Sequence, residues 1–357
     1  MRNATAGVGG GLAEAFPAFP AANSWQDMPM GIDLIEVEVA DLPPLPPEEA
    51  SLLDMHSMLN ILNVLQGELA VIGLILAQDA ELLKDGLSVC RKLTEALRDR
   101  SQALQDAAAL PSTCARVMAE IERALQEHAG RRESPEIAES LANLESVFAI
   151  LEVRAHEILA RAQHPERWET MRIENLRHNF LEAFAAIEQN SKGRYRIIYN
   201  LARQEPTDYY VRLDFDSVDG KTVHMPPVFQ DVMRDLIANA RKYTAPGGII
   251  AAGLFEGLRE LRFVVHDTGC GIPEPELRRV VEFGRRGSNV SNVRTMGGGF
   301  GLTKAYYVTK QFGGRMWIAS RVDIGTRISI TLPRDGAGPR GSDGDGIRSA
   351  ARRMASA

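Results

Sequence analysis

The segment that decides the fold of the C-terminal third reads Asp235-Leu-Ile-Ala-Asn239-Ala-Arg-Lys242-Tyr243-Thr. Three further segments follow it, and they read Asp267-Thr-Gly269-Cys-Gly271-Ile, Gly297-Gly-Gly299-Phe-Gly301-Leu302 and Gly325-Thr326-Arg-Ile-Ser-Ile-Thr-Leu. Each segment alone is weakly informative, because a glycine cluster is more often a turn and an Asn on a helix is more often solvated. Their joint order and spacing favour one pocket to which all four contribute.

The first segment is predicted to lie on a helix that ends near Tyr243. Asp235 and Asn239 are four residues apart, so their side chains share one face of that helix. The amide oxygen of Asn239 is a hard ligand that suits Mg²⁺ bound together with phosphates. The carboxylate of Asp235 is placed to orient or deprotonate an attacking group, and Lys242 is placed to meet a phosphate.

The second and third segments supply groups for a nucleotide base and its phosphates. Asp267 can accept a hydrogen bond from an exocyclic amine, as adenine presents, while Gly269 and Gly271 let the backbone come close to the base. The glycines between Gly297 and Gly301 open a predicted helix, where free backbone N–H groups and the helix dipole favour phosphate. The four segments therefore predict a pocket for ATP with Mg²⁺.

Residues from about 194 to 333 resemble the ATP-binding domain of the histidine-kinase branch of the gyrase, Hsp90, histidine kinase and mismatch-repair ATPase superfamily. The four segments look like the N, G1, G2 and G3 boxes of that domain. Phe283, followed by Arg285 and Arg286 in a polar and unpatterned stretch, looks like the F box and favours the kinase branch. The resemblance implies that ATP is bound by residues from all of the boxes: Asn239 as the Mg²⁺ ligand, Lys242, Tyr243, Asp267 as the adenine reader, Gly269, Gly271, Arg285, Gly297, Gly299, Gly301, Leu302 and Thr326.

The bulk composition is typical of a globular protein. A length of 357 residues predicts two or three domains, and the net charge of -6 gives no general attraction to nucleic acid or acidic membranes. Three widely separated cysteines fit a reducing cytoplasm, and the N-terminus lacks the pattern of a signal peptide. The longest apolar run is interrupted by Gly73 and is too short to span a bilayer. We therefore expect a soluble cytoplasmic protein without nucleic-acid partners or membrane insertion.

The residues between 48 and 190 have helical periodicity and almost no strand signal, with helices predicted at about 48–78, 80–108, 112–129, 134–163 and 166–190. The first helix carries apolar residues at alternating spacings of three and four: Met55, Met58, Leu62, Leu65, Leu69, Ile72 and Leu76. This seven-residue repeat predicts a seam buried against another helix, and flanking apolar residues widen the seam to the face of a four-helix bundle.

His56 lies on this first helix, just off the predicted seam, with Asn60 and Asn63 on the same face. A solvated helix face is the simpler interpretation of such a stripe. The resemblance to histidine kinases instead implies a phosphoacceptor on a dimeric helical hairpin, with His56, Asp235 and Asn60 in catalytic roles. Ser57 departs from the family, whose members usually have Glu or Asp directly after the histidine. His178 is a second candidate, but it lacks the seam.

The predicted fold is α+β, with a helical-bundle dimerisation region ahead of an α/β sandwich. Five parts are predicted: a flexible leader at 1–46, a dimerisation and phosphoacceptor hairpin at 47–110, an additional helical region of unknown role at 111–192, the ATP-binding domain at 193–334 and a disordered tail at 335–357.

The resemblance implies a soluble, homodimeric histidine kinase that autophosphorylates His56 and passes the phosphoryl group to an Asp in the receiver domain of a response regulator. Two alternatives stay open beside it. One is an ATP-binding regulatory module, or a kinase homologue that acts mainly as a phosphatase, without efficient autophosphorylation. The other is an ATPase that drives a clamp, which nothing resembling a transducer domain supports.

Overall fold

A computed structural model describes residues 34–39, 42–131, 134–191, 193–290 and 299–334. Within these ranges the chain forms a bundle of α-helices followed by a mixed β-sheet that helices cover on one face. The predicted α+β class, with a helical region ahead of an α/β sandwich, is therefore confirmed. The first 33 residues of the predicted leader and the predicted tail lie outside the described residues.

Six α-helices precede the sheet in the part of the chain that the structure describes: α1 (Pro47–Asp54), α2 (His56–Ala77), α3 (Lys84–Ala96), α4 (Arg100–Ala108), α5 (Leu110–Glu127) and α6 (Pro135–Gln163). Two of the predicted helices are divided. The first breaks at Met55, which leaves the helical region of the backbone with φ -93° and ψ 6°. The second breaks before Arg100, because the Asp99 carboxylate caps α4 by accepting from the backbone N–H groups of Ser101 and Gln102.

The predicted seam of α2 is buried as expected. All seven of its apolar residues are 2% exposed or less, and they pack against α6 and α3 of the same chain. At about 1.5–3 kcal/mol for each buried side chain, the seam contributes of the order of 10–20 kcal/mol of gross hydrophobic stabilisation. The seam therefore needs no second copy of the chain to cover it.

The bundle is one unit rather than a hairpin followed by a separate region. A single apolar core extends from Leu52 in α1 to Ile158 in α6, so the predicted boundary at residue 110 falls inside it. Cys90 and Cys114 both lie in this core. The boundary was predicted because the resemblance implied a two-helix hairpin, which needs a second copy of the chain to complete its bundle. Here α5 and α6 of the same chain complete the bundle.

The sheet region begins earlier than predicted. Its elements are the strands β2 (Glu169–Arg172), β3 (Ile197–Ile198), β4 (Tyr209–Asp216), β5 (Thr222–Met225), β6 (Ile249–Glu256), β7 (Glu260–Asp267), β8 (Arg315–Arg321) and β9 (Gly325–Pro333), with the helices α7 (Ile173–Asn190), α8 (Pro227–Tyr243) and α9 (Gly301–Gln311). The side chains of Leu176, Phe180 and Phe184 place α7 in the core of this sheet, so the predicted start at residue 193 is too late. The predicted helix at 166–190 also contained β2, which pairs antiparallel with β5.

Seven strands form the main sheet in the order β1-β8-β9-β7-β6-β4-β3 among the described residues, where β1 is the strand Ile35–Glu38. Asp267 at the end of β7 stands opposite Thr326 of β9. The second and fourth sequence segments therefore meet at one end of the two central strands, below the N-terminus of α9 and the C-terminal half of α8. This edge of the sheet positions the pocket.

Strand β1 corrects the prediction that residues 1–46 form a flexible leader. It pairs antiparallel with β8, and Glu36 and Glu38 form ion pairs with Arg327 and Arg315. The backbone then follows α9, where Leu42 N–H donates to the Tyr306 hydroxyl at 2.7 Å and the Tyr307 hydroxyl donates to the Pro43 carbonyl at 2.7 Å. The sequence hid this strand because four residues held by partners nearly 300 positions away leave no local signal.

Helix α2 is the one described helix that is long and apolar enough to cross a membrane, with 22 residues and a mean hydropathy of 1.8. The prediction that no segment spans a membrane considered only the apolar run interrupted by Gly73. The whole of α2 is longer than that run and passes the test by length and composition. A core helix passes the same test, and the seam of α2 lies inside the bundle. The absence of membrane insertion therefore stays a prediction.

Leu69 and Leu74 provide a matched test of how the bundle is built, because both are leucines on α2 while Leu69 is 0% and Leu74 is 49% exposed. We expect Leu69→Ala to lower the free energy of unfolding by about 2–5 kcal/mol and Leu74→Ala to change it by about 0.5 kcal/mol or less. Urea titration followed by circular dichroism measures both. Equal losses in the two variants would contradict the described packing, as would a loss for Leu69→Ala that depends on protein concentration.

Candidate nucleotide and phosphoacceptor site

The predicted site residues meet around a cavity of about 250 Å³ between α2, α8, the N-terminus of α9 and the ends of β7 and β9. The cavity is lined by these predicted residues: His56, Asn60, Asp235, Asn239, Lys242, Tyr243, Asp267, Gly271, Arg285, Gly299, Gly301, Leu302 and Thr326. Gly269 lies just behind the lining, and Gly297 lies outside the described residues. Residues from both regions of the chain thus form one cavity.

Asp267 is the most deeply buried acid of this cavity. Its Oδ1 accepts the backbone N–H of Gly269 at 2.8 Å, and burial raises the pKa of its carboxyl to about 7, although N–H donors from Gly269 and Thr326 oppose that rise. A carboxylate so placed gains a partner when an exocyclic amine enters, which is the contact that adenine offers. Thr326 is fixed beside it, with its Oγ1 2.9 Å from Ser320 Oγ.

Two glycines of the second segment are required by close backbone approach. A Cβ on Gly269 would lie 2.5 Å from the Tyr243 carbonyl oxygen, at the end of α8. Gly271 has φ +66°, and a Cβ there would collide with the Arg321 carbonyl of β8. These glycines let the loop after β7 lie between α8 and β8, which keeps the floor of the cavity open for a flat ring.

Helix α8 contributes the groups predicted for metal and phosphate. Asn239 and Asp235 both face the cavity, and a buried oxygen of Asp235, Oδ2, accepts no hydrogen bond from the described residues. The amide oxygen of Asn239, the ligand predicted from the sequence, fits Mg²⁺, which takes few protein ligands and completes its shell with phosphates and water. Burial, together with Arg286 and Arg241, lowers the pKa of Lys242 to about 8. Lys242 still carries most of its charge at neutral pH and suits a phosphate.

The third segment opens α9 toward the same cavity. The helix begins at Gly301, and a Cβ on Gly301 would lie 2.8 Å from Asn239 Nδ2, so a side chain there would displace the Asn239 amide from its present position. The free N–H groups of this helix N-terminus favour phosphate. Arg285, which precedes residues 291–298 outside the described ranges, is paired with Glu282 at 2.8 Å.

His56 faces this cavity rather than solvent. It is 6% exposed, Asn60 Nδ2 donates to its Nε2 at 3.3 Å, and the ring of Phe300 contacts it edge-on at 5.2 Å between centroids. The simpler interpretation of a solvated helix face is therefore wrong for His56, because the nucleotide region covers this end of α2. Burial lowers the pKa of His56, with Lys304 and Lys242 adding to the effect and Asp235 opposing it.

An aromatic contact connects the two regions next to His56. Phe300, within the glycine loop, packs on Phe283 with 4.7 Å between ring centroids, and Phe283 in turn packs against the core of the helical bundle. Phe300 thus stands between the phosphoacceptor candidate and the loop predicted to bind phosphate. The sequence alone indicates no role for Phe300, because an aromatic residue between glycines has no catalytic or metal-binding group.

Asp231 and Lys304 are the other residues that the sequence analysis missed. Asp231 on α8 is buried and paired with Arg161 of α6, Arg234 and Lys304, the last at 3.5 Å. The coulombic field of these cations holds the pKa of Asp231 well below its usual range against the cost of burial. The spacing of Asp231 and Asp235 on one helix face was visible, but nothing in the sequence indicates a partner 70 residues away.

His178, the second histidine candidate, is not part of the cavity. It is exposed on α7 and lies 3.1 Å from Glu182 Oε1 on the same helix. A solvated i,i+4 pair of this kind contributes little. Among the described residues no group of three or more His, Cys, Asp or Glu is placed to hold a metal ion.

Comparison with known proteins agrees with this geometry. Residues 226–336 match the family described as histidine kinase-, DNA gyrase B-, and HSP90-like ATPase. The sensor histidine kinase Hik2 of Thermosynechococcus vestitus is 34% identical over 130 residues, which cover 32% of this chain and 34% of Hik2. The adaptive-response sensory kinase SasA of Synechococcus sp. (strain CC9902) is 34% identical over 116 residues, 30% of each chain.

The virulence sensor protein BvgS of Bordetella bronchiseptica is 28% identical over 151 residues, which cover 41% of this chain and 12% of BvgS. A solved mycobacterial sensor histidine kinase, MprB, aligns with 46% of this chain and 97% of its own at 21% identity and a TM-score of 0.34. The chain spans about a third or less of the length of these curated relatives. The predicted resemblance to histidine kinases and their ATP-binding domain is confirmed.

Replacing Asp267 by Asn tests the adenine reader and its raised pKa together. Between about pH 4 and pH 7 the folded carboxyl holds a proton that the unfolded one has lost, so the stability of the nucleotide-free protein falls over this range and levels off above it. We expect Asp267→Asn to be the more stable form by an amount that grows over the same range, to a few kcal/mol at about 1.4 kcal/mol per pKa unit. Calorimetry of both proteins from pH 4 to pH 8 measures this difference.

The same variant should bind nucleotide about ten- to a hundredfold more weakly, since one charge-assisted hydrogen bond is lost. Asp214→Asn is the control, because Asp214 lies on β4 of the same sheet and is paired with Arg212 outside the cavity. Isothermal titration with ADP at pH 7 measures both variants. Unchanged affinity in Asp267→Asn, or equal weakening in the control, would contradict the assignment.

Proposed function

We propose that this chain, whose residues 226–336 belong to the histidine kinase-, DNA gyrase B-, and HSP90-like ATPase family, is an ATP-dependent protein histidine kinase that phosphorylates its own His56. The observation that carries the proposal is the shared cavity: His56 and Asn60 of α2 line it together with Asn239, Asp267 and the glycine loop of the same chain. A nucleophile placed beside a nucleotide site gains most of its rate from that placement.

The hydrogen bond from Asn60 selects the reactive form of His56. Because the Asn60 amide nitrogen can only donate, the Nε2 that receives it carries the lone pair, and the ring proton stands on Nδ1. In the proposed step the Nε2 lone pair attacks the γ-phosphorus of ATP. The bond from that phosphorus to the β,γ-bridging oxygen breaks and ADP leaves with the electron pair. The Nδ1 proton, which has no acceptor among the described residues, passes to water, and the phosphorylated ring becomes neutral.

The remaining cavity residues have electrostatic and positioning roles in this proposal. Asp267 and Thr326 orient the adenine, while Lys242, Arg285 and the N–H groups at the start of α9 bind the phosphates. Mg²⁺, held through Asn239, would neutralise charge on the phosphates. We propose Asp235 as the general base, acting through water, because it is a carboxylate that lines the cavity. The residue after His56 cannot take this role, since it is Ser57, whose hydroxyl has no partner among the described groups.

Transfer within one chain is the second part of the proposal. The cavity combines both regions of a single polypeptide, and the α2 seam is covered by α3 and α6 of that polypeptide. A homodimer is still proposed, by analogy with the sensor kinases that this chain resembles. Its contact surface would then be the outer faces of the bundle, where Val71 and Leu74 of α2 and Ile150 and Val153 of α6 are exposed.

The proposed destination of the phosphoryl group is an aspartate in the receiver domain of a separate response regulator, in the cytoplasm. A specific observation supports the alternative of a regulatory or phosphatase-dominant protein. His56 has no adjacent carboxylate on α2 and is enclosed by Phe300, so its transfer to another protein requires the two regions to separate. Labelling distinguishes these activities.

Incubation with γ-labelled ATP and Mg²⁺ tests the proposed acceptor. We expect acid-labile, base-stable label on the wild-type protein, its loss in His56→Ala, and full label in His178→Ala, which removes an exposed histidine outside the cavity. Melting curves and ADP binding confirm that both variants are folded. Normal labelling of His56→Ala would sink the assignment, and nucleotide binding without any label in the wild type would favour the regulatory alternative.

Mixing two inactive variants tests transfer within one chain. His56→Ala lacks the acceptor and Asn239→Ala lacks the proposed Mg²⁺ ligand, so transfer within a chain predicts no label in the mixture, even after co-refolding to form mixed dimers. Transfer between chains would instead restore label on the Asn239→Ala chain. A tag on one variant separates the two products by size, and restored label would contradict the single-chain cavity.

A further inference from the structure

Lys304 is the most deeply buried cation of the site, at 3% exposure on α9. Its Nζ lies 3.5 Å from Asp231 Oδ2 and 3.6 Å from Asp235 Oδ2, so it bridges two carboxylates one turn apart on α8. A buried ammonium group destabilises the fold unless it is paired with an opposite charge, and here both carboxylates pair with it. Neither the family resemblance nor the proposed phosphoryl transfer assigns this lysine a role.

The two carboxylates depend on Lys304 unequally. Asp231 is also paired with Arg161 and Arg234 and has Arg154 at 3.8 Å, so it keeps cationic partners when Lys304 is removed. Asp235 has no other Lys, Arg or His nitrogen within 4.0 Å among the residues that the structure describes. Removing the charge of Lys304 would thus leave Asp235, in particular, without a cation.

An uncompensated Asp235 acts on His56. Phe300 from the glycine loop and Asn60 from its own helix contact the His56 ring, while Asp235 and Lys242 from α8 line the same cavity. Lys304 from α9 lies behind the cavity surface and acts on the ring through its charge. Of these, only Asp235 favours a protonated imidazole, while both lysines oppose it. A protonated ring has no lone pair on Nε2 and cannot attack phosphorus.

We propose that Lys304 is a positioning residue that neutralises and holds the Asp235 carboxylate, so that His56 stays neutral and able to attack instead of forming an ion pair with Asp235. The consequence for catalysis rests on the proposed function of His56 as phosphoacceptor. The effect of Lys304 and Asp235 on the protonation of His56 involves only residues of this chain, so it can be measured without nucleotide. Lys304 touches neither the reacting atoms nor the cavity surface.

The test is a pH titration of the His56 ring by ¹H–¹⁵N NMR in the nucleotide-free full-length protein, with the signal assigned by its absence in His56→Gln. Lys304→Met removes the charge at similar volume, and we expect it to raise the pKa of His56 by about one unit, a tenfold shift in the protonation equilibrium. Lys304→Arg should leave the pKa of His56 close to the wild-type value. Lys304→Met/Asp235→Asn, which removes both charges, should reverse the rise.

Arg234→Met is the matched control, because it removes one cation from Asp231 without removing the cation next to Asp235. An equal rise in this control would show that only net charge matters and would overturn the proposal. So would an unchanged pKa in Lys304→Met with a native melting curve, or a rise that persists in the double variant. If Lys304→Met fails to fold, Lys304→Gln is titrated in its place: a raised pKa of His56 supports the proposal, and an unchanged one overturns it.

The kinase assay separates this inference from the proposed function. In Lys304→Met the acid limb of the labelling rate against pH should move upward with the NMR value, and saturating pH should restore most of the rate, which a merely structural defect would not allow. Label that forms normally with an unmoved acid limb overturns the role of Lys304 and leaves the function intact. A shifted pKa of His56 in a protein that never labels supports the electrostatic role and rejects the kinase.

Discussion

The buried carboxylate of Asp231 is the interaction on which the arrangement of the site depends. It forms ion pairs with Arg161 of the helical bundle, Arg234 of its own helix and Lys304 of α9, the helix that begins at the glycine loop. A buried charge that loses its partners costs several kcal/mol, so bundle and nucleotide region are held together as long as Asp231 stays ionised. Arg161 on α6 lines a neighbouring cavity together with Asp54 and Met55, so the ion cluster lies beside the start of the helix that carries His56. The segment between β1 and α1 connects the two regions a second time, because Leu42 and Pro43 form hydrogen bonds with Tyr306 and Tyr307 of α9.

Much of this structure could be predicted because the relevant signals are local or periodic. The seven-residue repeat from Met55 to Leu76 needs only one helix to be recognised, and the four polar and glycine segments have spacings that a pocket requires. What the repeat cannot state is which helix covers it. The resemblance suggested a second chain, whereas α6, some 80 residues further along, does so here. For the same reason the strand β1 and the role of Lys304 were not predicted, because both depend on partners that are distant in sequence.

A bundle completed within one chain separates two tasks that a dimeric hairpin combines. When two copies must build the bundle, the packing that stabilises the phosphoacceptor helix also determines the oligomeric state. Here α3, α5 and α6 stabilise α2 alone, and any dimer contact is left to the outer face, where side chains such as Val71 and Val153 are exposed. A contact of that kind is weaker and easier to regulate than a core, because it carries none of the folding free energy of the bundle.

Burial of His56 has opposite consequences for the two halves of the proposed reaction. Enclosure by Phe300 and the low polarity of the site favour the neutral ring and exclude water, which protects a phosphoryl group in transit from ATP. The same enclosure withholds the product from any second protein. In the proposed reaction, release therefore requires the contacts of Phe283 and Asp231 with the bundle to break, and nucleotide exchange would trigger it through the glycine loop, which carries Phe300 and is proposed to bind phosphate. Under the proposed function, the closed arrangement is the phosphorylating state, and the free energy of the Asp231 cluster determines how long it lasts.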